Sequence, residues 1–165
     1  MTLALLVLLA PAPAIELAVE GIGTPEAALF VHVKNPPGHR PIAFLREFWK
    51  FWSVECTLQH DGAPVPTAFA LRPDRPTLAQ LVVLEPRAEY GEHLALSYVW
   101  GANAVGPGAY HVECRAGSRA PLEALYEASL HGGAKRATPG LQQDLRRIDF
   151  SLADLRPAAL DFKIP

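Results

Sequence analysis

Sixteen prolines and twelve glycines cut the chain into short apolar stretches, and most of those stretches alternate in polarity. A period of two marks a strand with one face on a core and the other in water, so the punctuation favours a β-rich domain over a helix bundle. In residues 28–33, Leu29, Val31 and Val33 share one face while Phe30 and His32 share the other. From Trp52 to Leu58 the alternation is cleaner. Trp52, Val54, Cys56 and Leu58 point inward, and Ser53, Glu55, Thr57 and Gln59 outward. Asp61-Gly62 then supplies a hairpin turn, with Val65–Leu71 as the return strand. Ile15–Val19, Leu78–Leu84, Leu94–Trp100, Ala109–Arg115 and Ala158–Ile164 read as further strands. About eight or nine short strands at this spacing predict a sandwich rather than a parallel α/β sheet.

One segment departs from this rhythm. Between Gly117 and Pro157, Leu122, Leu125, Tyr126 and Leu130 recur at helical spacing after Ser118 and Pro121, and Gly132-Gly133 ends the run. Thr138-Pro139 is an N-cap and first-turn pair for a second short helix carrying Leu141, Leu145 and Ile148. The polar stretch from His131 to Thr138 between them reads as a flexible loop. At 165 residues the chain suffices for one domain, expected over residues 15–165 with a helical insertion at 117–157.

Residues 1–14 carry no charge, and the apolar run Leu3–Ala10 is followed by Ala12-Pro13-Ala14. This has the pattern of a secretory signal peptide cut after Ala14; the alternative is a buried N-terminal strand or helix. The run is too short to span a bilayer, and nothing after it has the length of a transmembrane segment. The expected product is secreted or periplasmic. With 17 acidic and 15 basic residues, the chain lacks the clustered cations of a nucleic-acid or anionic-membrane binder.

An edge strand is followed by Val31-His32-Val33-Lys34-Asn35, then by Leu84-Glu85-Pro86 leading to Tyr90, and then by Pro107-Gly108-Ala109-Tyr110-His111-Val112. This order resembles bacterial immunoglobulin-like and fibronectin-type secreted β-sandwiches over roughly residues 15–116 and the last strand. In such domains a Pro-Gly-x-Tyr step introduces a late strand, and its tyrosine bonds back to the backbone as a tyrosine corner. The resemblance implies an all-β, immunoglobulin-like antiparallel β-sandwich with a short helical insertion before its last strand. It implies a fold and almost nothing about function.

The two cysteines, Cys56 and Cys114, each fall on the apolar face of a separate predicted strand. A disulfide across the sandwich is the leading expectation for an exported chain; two buried thiols are the cytosolic alternative. The six histidines show no metal-ligand spacing, and no metal or cofactor is expected; His32 and His111 are the one pair that neighbouring strands could bring together. No serine sits in a nucleophile elbow, no glycine-rich loop has phosphate-cradle spacing, and Glu85, Glu89, Glu92, Asp144 and Asp149 read as solvated faces. An enzyme is the least favoured reading.

The densest local feature is the stretch Phe44 to Trp52, with five aromatic rings in nine positions. As a strand it would place Phe44, Arg46, Phe48, Lys50 and Trp52 on one face and Leu45, Glu47, Trp49 and Phe51 on the other. Both faces are ring-rich, so either the insertion covers one of them or it serves as a binding platform. The platform reading names Phe44, Arg46, Phe48, Trp49 and Phe51 as binding residues for a protein partner. The expected function is a non-enzymatic binding module of an exported protein, an inhibitor or accessory subunit; the alternative is a structural or assembly component of an envelope or extracellular complex.

Overall fold

The structure is a computed structural model and describes residues 11–51, 53–68, 76–118, 125 and 155–165, with the backbone alone at Trp49 and Asn103. Its strands are β1 (Ala14–Glu20), β2 (Ala28–Lys34), β3 (Ile42–Leu45), β4 (Val54–His60), β5 (Ala63–Val65), β6 (Leu81–Leu84), β7 (Glu89–Ala95), β8 (Gly108–Ala116) and β9 (Ala158–Ile164). A five-residue helix, α1 (Leu96–Trp100), lies between β7 and β8. The protein is mostly β, and its paired strands run antiparallel in sheets of order β1-β2-β7, β3-β6 and β5-β4-β8-β9.

The alternation read from the sequence sets most faces; Ser53, expected outward, is instead buried, its hydroxyl accepting from Leu45 N–H at 2.8 Å. Leu29, Val31 and Val33 of β2, Val54, Cys56 and Leu58 of β4, and Tyr110, Val112 and Cys114 of β8 are all buried in one core. Ile42, Phe44 and Leu84 from the two-stranded sheet join the same cluster, so all three sheets share it. At the β4–β5 hairpin, Asp61 and Gly62 take φ of 48° and 80° between the paired residues His60 and Ala63. Positive φ at both central positions is the primed turn that matches strand twist, and Asp-Gly tolerates it well. Tyr110 donates its hydroxyl hydrogen to the Gly106 carbonyl at 2.8 Å, four residues upstream.

Several expectations are corrected. Leu94–Trp100 is not one strand: β7 runs to Ala95, and Leu96–Trp100 is helical. Leu96, Val99 and Trp100 are its buried residues, a spacing of three and four that one helical face presents to the core. Phe44 to Trp52 is likewise not a strand, since β3 ends at Leu45 and Phe48–Lys50 forms a single 3-10 turn. Strand structure in the predicted Leu78–Leu84 begins only at Leu81, after another 3-10 turn. The return strand is Ala63–Val65, and residues 69–71 of its expected length lie outside the described residues.

The cysteines are bridged, but not between two sheets. Cys56 and Cys114 stand directly opposite each other on adjacent strands β4 and β8, with 4.1 Å between Cα atoms. Equal parity on two separate strands is compatible with either arrangement; the pairing register selects this one.

The two expected helices of the 117–157 insertion lie outside the described residues apart from Leu125, which is buried in the core, as Leu155 is. Residues 1–10 of the expected signal peptide also lie outside them. Ala14 begins β1 opposite Lys34, and the Pro13 carbonyl accepts a hydrogen bond from Arg156 N–H at 2.9 Å, so a cut after Ala14 would remove both contacts. Among the described residues no helix is long and apolar enough to cross a membrane.

Candidate binding site

After β3 the chain leaves the sheet at Arg46 and turns through Phe48–Lys50. Glu47 and Phe51, on either side of that turn, take φ of 68° and 54°. Left-handed backbone is uncommon for residues with a Cβ and persists only where surrounding contacts hold it. Here the holding contact is Glu92 on β7. Its Oε1 accepts from Glu47 N–H at 2.7 Å, and its Oε2 accepts from Phe48 N–H at 2.8 Å. Oε1 also accepts from the Tyr90 hydroxyl at 2.7 Å. Glu92, expected as a solvated carboxylate, is therefore the half-buried anchor of the aromatic turn. The parity of Tyr90, Glu92 and Leu94, all on the inward side of β7, was the available signal.

The other charges of the turn are answered locally. Lys50 Nζ lies 2.6 Å from Glu47, and Gln80 donates to Glu47 Oε1 at 3.4 Å. The Lys50 contact, opposed by burial and helped by Gln80, holds the Glu47 carboxyl below its ordinary value. Burial, then the hydrogen bond to Glu92, pushes the Tyr90 phenol above its ordinary value of 10.0. Because this folded-state value is raised, Tyr90 contributes full stability below about pH 10 and loses it progressively above. Thermal melts taken from pH 8 upward (a lower starting point, roughly two units under that range) are expected to show stability falling through the tyrosine range. The Tyr90→Phe variant should show a shallower fall.

The five residues of the expected platform separate. Phe44 and Phe48 are not surface rings: they are 1% and 0% exposed, and both pack against Tyr90 at ring separations of 5.4 and 5.8 Å. Their burial follows from the turn, which folds Phe48 back over Phe44 instead of extending it along a strand. Arg46 is exposed. Trp49 lies within the 3-10 turn, its side chain outside the description, and Trp52 lies outside the described residues. Of the platform rings whose side chains are described, Phe51 alone is half-buried, and it lines a groove.

That groove has a volume of about 320 Å³ and is lined by Phe51, Trp100, Leu58, Pro64, Val65 and Cys56, with Glu55, Thr57 and Thr67 as its polar residues. The rings of Phe51 and Trp100 are 6.3 Å apart and tilted by 40°. Trp100 escaped the sequence reading because it was assigned to a strand; the short helix carries it to Phe51, with Gly101 at φ 87° directly after it.

Among the described residues, histidines and carboxylates meet as separate pairs. His111 is 2.7 Å from Asp161, His93 3.2 Å from Glu20 and His32 3.7 Å from Glu89. His32 and His111 lie in different sheets, so the one pair considered from the sequence is not a pair. Among the described residues no three His, Cys, Asp or Glu side chains converge as metal ligands. No protein-family model matches this chain, and no curated protein matches it either.

Proposed function

We propose that this chain is an exported immunoglobulin-like β-sandwich acting as a non-enzymatic binding module, an inhibitor or accessory subunit that receives an apolar side chain of a protein partner in the Phe51–Trp100 groove. The strand orders support the sandwich. The sheet β1-β2-β7 joins two early strands to one from the second half of the chain, and β5-β4-β8-β9 pairs a central hairpin with the two last strands, as the A-B-E and C-F-G strands of immunoglobulin domains do, with β3-β6 as an additional pair. The Tyr110–Gly106 bond is of the tyrosine-corner kind, and the disulfide supports an oxidising compartment.

The observation that carries the binding role is Phe51 itself. A phenylalanine held at φ 54° is backbone strain that glycine would relieve, and the strained position sets an aromatic ring beside Trp100 in an open groove. An apolar floor with threonines and a carboxylate around it has the anatomy of a small interface core with a polar rim. Such a contact depends only moderately on salt.

Phe51→Gly tests it, because glycine accepts the conformation and deletes the ring. Pull-down from culture supernatant or periplasm with the parent chain is expected to recover one soluble partner whose affinity drops at least about tenfold for the variant. Equal recovery by a variant with parental circular dichroism would exclude the groove. Recovery of a large multi-component complex instead would favour an assembly role.

A further inference from the structure

The turn joining β6 to β7 holds a further residue at positive φ, far in sequence from Phe51. Ala88 N–H donates to the Glu85 carbonyl at 3.0 Å, Pro86 takes the second position, and Arg87 takes the third at φ 71°. A Pro-led turn with positive φ at its third position ordinarily carries glycine or asparagine there. Arginine at that place is a backbone cost, offset by the hydrogen bonds of Arg87 N–H to the Asn35 carbonyl at 2.8 Å and of Asn35 N–H to the Ala88 carbonyl at 3.0 Å, which any residue with a backbone N–H at 87 could make.

Arg87 lines a cleft of about 350 Å³, together with Arg156, Lys34, Glu16, Glu89 and Asn35. The charges of this cleft are not balanced internally. Lys34 is answered by Glu16 at 2.7 Å, and that hydrogen bond, followed by the charges of Glu16 and Glu89, keeps the lysine above its ordinary value. Glu89 faces His32 at 3.7 Å. Arg87 has no ion pair among the described residues, and the contact found for the Arg156 guanidinium is a long one, 3.5 Å to the Ala12 carbonyl. Arg87 and Arg156 thus line one cleft, and among the described residues neither has a carboxylate of its own. Asn35, 2% exposed in the same wall, donates from Nδ2 to the Arg40 and Leu84 carbonyls, which leaves its Oδ1 buried without a partner.

We infer that this cleft is a carboxylate-binding site, with Arg87 and Arg156 as its anion-recognising residues. Guanidinium groups take carboxylates bidentately, and three cations against two carboxylates leave a surplus that one monoanion neutralises. The flanking Glu16 and Glu89 disfavour a dianion such as phosphate. Either a small free acid or the C-terminus of a peptide carries this chemistry. The site is separate from the Phe51 groove and does not depend on it.

Titration of the ¹⁵N-labelled full chain with acetate, trialanine, trialanine amide and inorganic phosphate tests the inference. The expected result is saturable amide shifts at Lys34, Asn35, Arg87 and Ala88 with a dissociation constant on the order of 1 mM for a carboxylate. Binding should be at least about tenfold weaker for the amide. Comparable affinity for acetate would assign a small free acid, and preference for trialanine a chain terminus. Arg87→Gly is expected to weaken binding at least about tenfold without lowering the melting temperature, since glycine relieves the turn. Arg156→Gln supplies the same readout should that variant fail to fold. Absence of saturable shifts, equal binding of the amide, tighter binding of phosphate, or unchanged affinity in the folded variants would overturn the proposal.

Discussion

Replacing Cys56 and Cys114 together by alanine is expected to lower the stability of the fold by about 4 kcal/mol. The bridge joins residues 58 positions apart, and the loop it closes contains β5, β6, β7 and α1. Breaking it frees that loop in the unfolded chain, while the native sheet loses no backbone hydrogen bond because β4 and β8 pair independently of the sulfurs. For a chain of this length the loss translates into roughly 8–16 °C in melting temperature. Both side chains are inward and buried, at 3% and 0% exposure, so the bridge is expected to resist mild reductant until the domain opens. Mass spectrometry of the unreduced, unfolded chain should show no uptake of an alkylating reagent. Two alkylated thiols in native material, or a double variant as stable as the parent, would show that the bridge is not formed.

Glu92→Ala is expected to cost about 3 kcal/mol, an unusually large figure for a half-buried carboxylate. The change removes the acceptor of the Glu47 and Phe48 N–H groups and of the Tyr90 hydroxyl at once. Those bonds hold left-handed Glu47 and the first residue of the turn in place, and the burial of Phe44 and Phe48 depends on the turn keeping its shape. Glu92→Gln separates acceptor chemistry from packing. An amide has one acceptor oxygen, whereas the site uses both carboxylate oxygens as acceptors, so one N–H or O–H is left facing a donor. Its expected cost is smaller, about 1–2 kcal/mol. Chemical denaturation of both variants measures the difference. If alanine cost no more than an ordinary surface substitution, Glu92 would not be the anchor of the turn.

These two residues illustrate what could be read in advance. The inward cysteines were legible because each sits in a strand whose neighbours alternate, and alternation specifies the buried face without reference to any partner. The partner was not legible. Cys56 could have met a residue on the opposing sheet or on the next strand, and the choice lies in the β4–β8 register, a long-range property. Glu92 had the right parity, between Tyr90 and Leu94, yet a charged residue in a polar run carries no mark distinguishing a buried acceptor from a solvated one. That distinction is made by two backbone N–H groups more than forty positions away, 2.7 and 2.8 Å from its oxygens.

The run from Phe44 to Trp52 shows the same division at a functional surface. Ring density announced that the segment has more apolar area than one strand face can bury. It did not say which rings go inside, because period-two parity applies only while the chain stays extended, and here it leaves the sheet after Leu45. The turn then buries Phe44 and Phe48 and leaves Phe51 at a groove completed by Trp100, a residue 49 positions away.

From residue order alone come the β class, the inward faces of β2, β4 and β8, the Asp61-Gly62 hairpin and the inward placement of both thiols. Each rests on local backbone geometry, which neighbouring residues encode. Strand order, the disulfide's place within one sheet, the helix at Leu96–Trp100, the Glu92 anchor and both clefts come from packing. They depend on groups brought together from distant positions, where burial and hydrogen-bond satisfaction outweigh the preferences of any single segment.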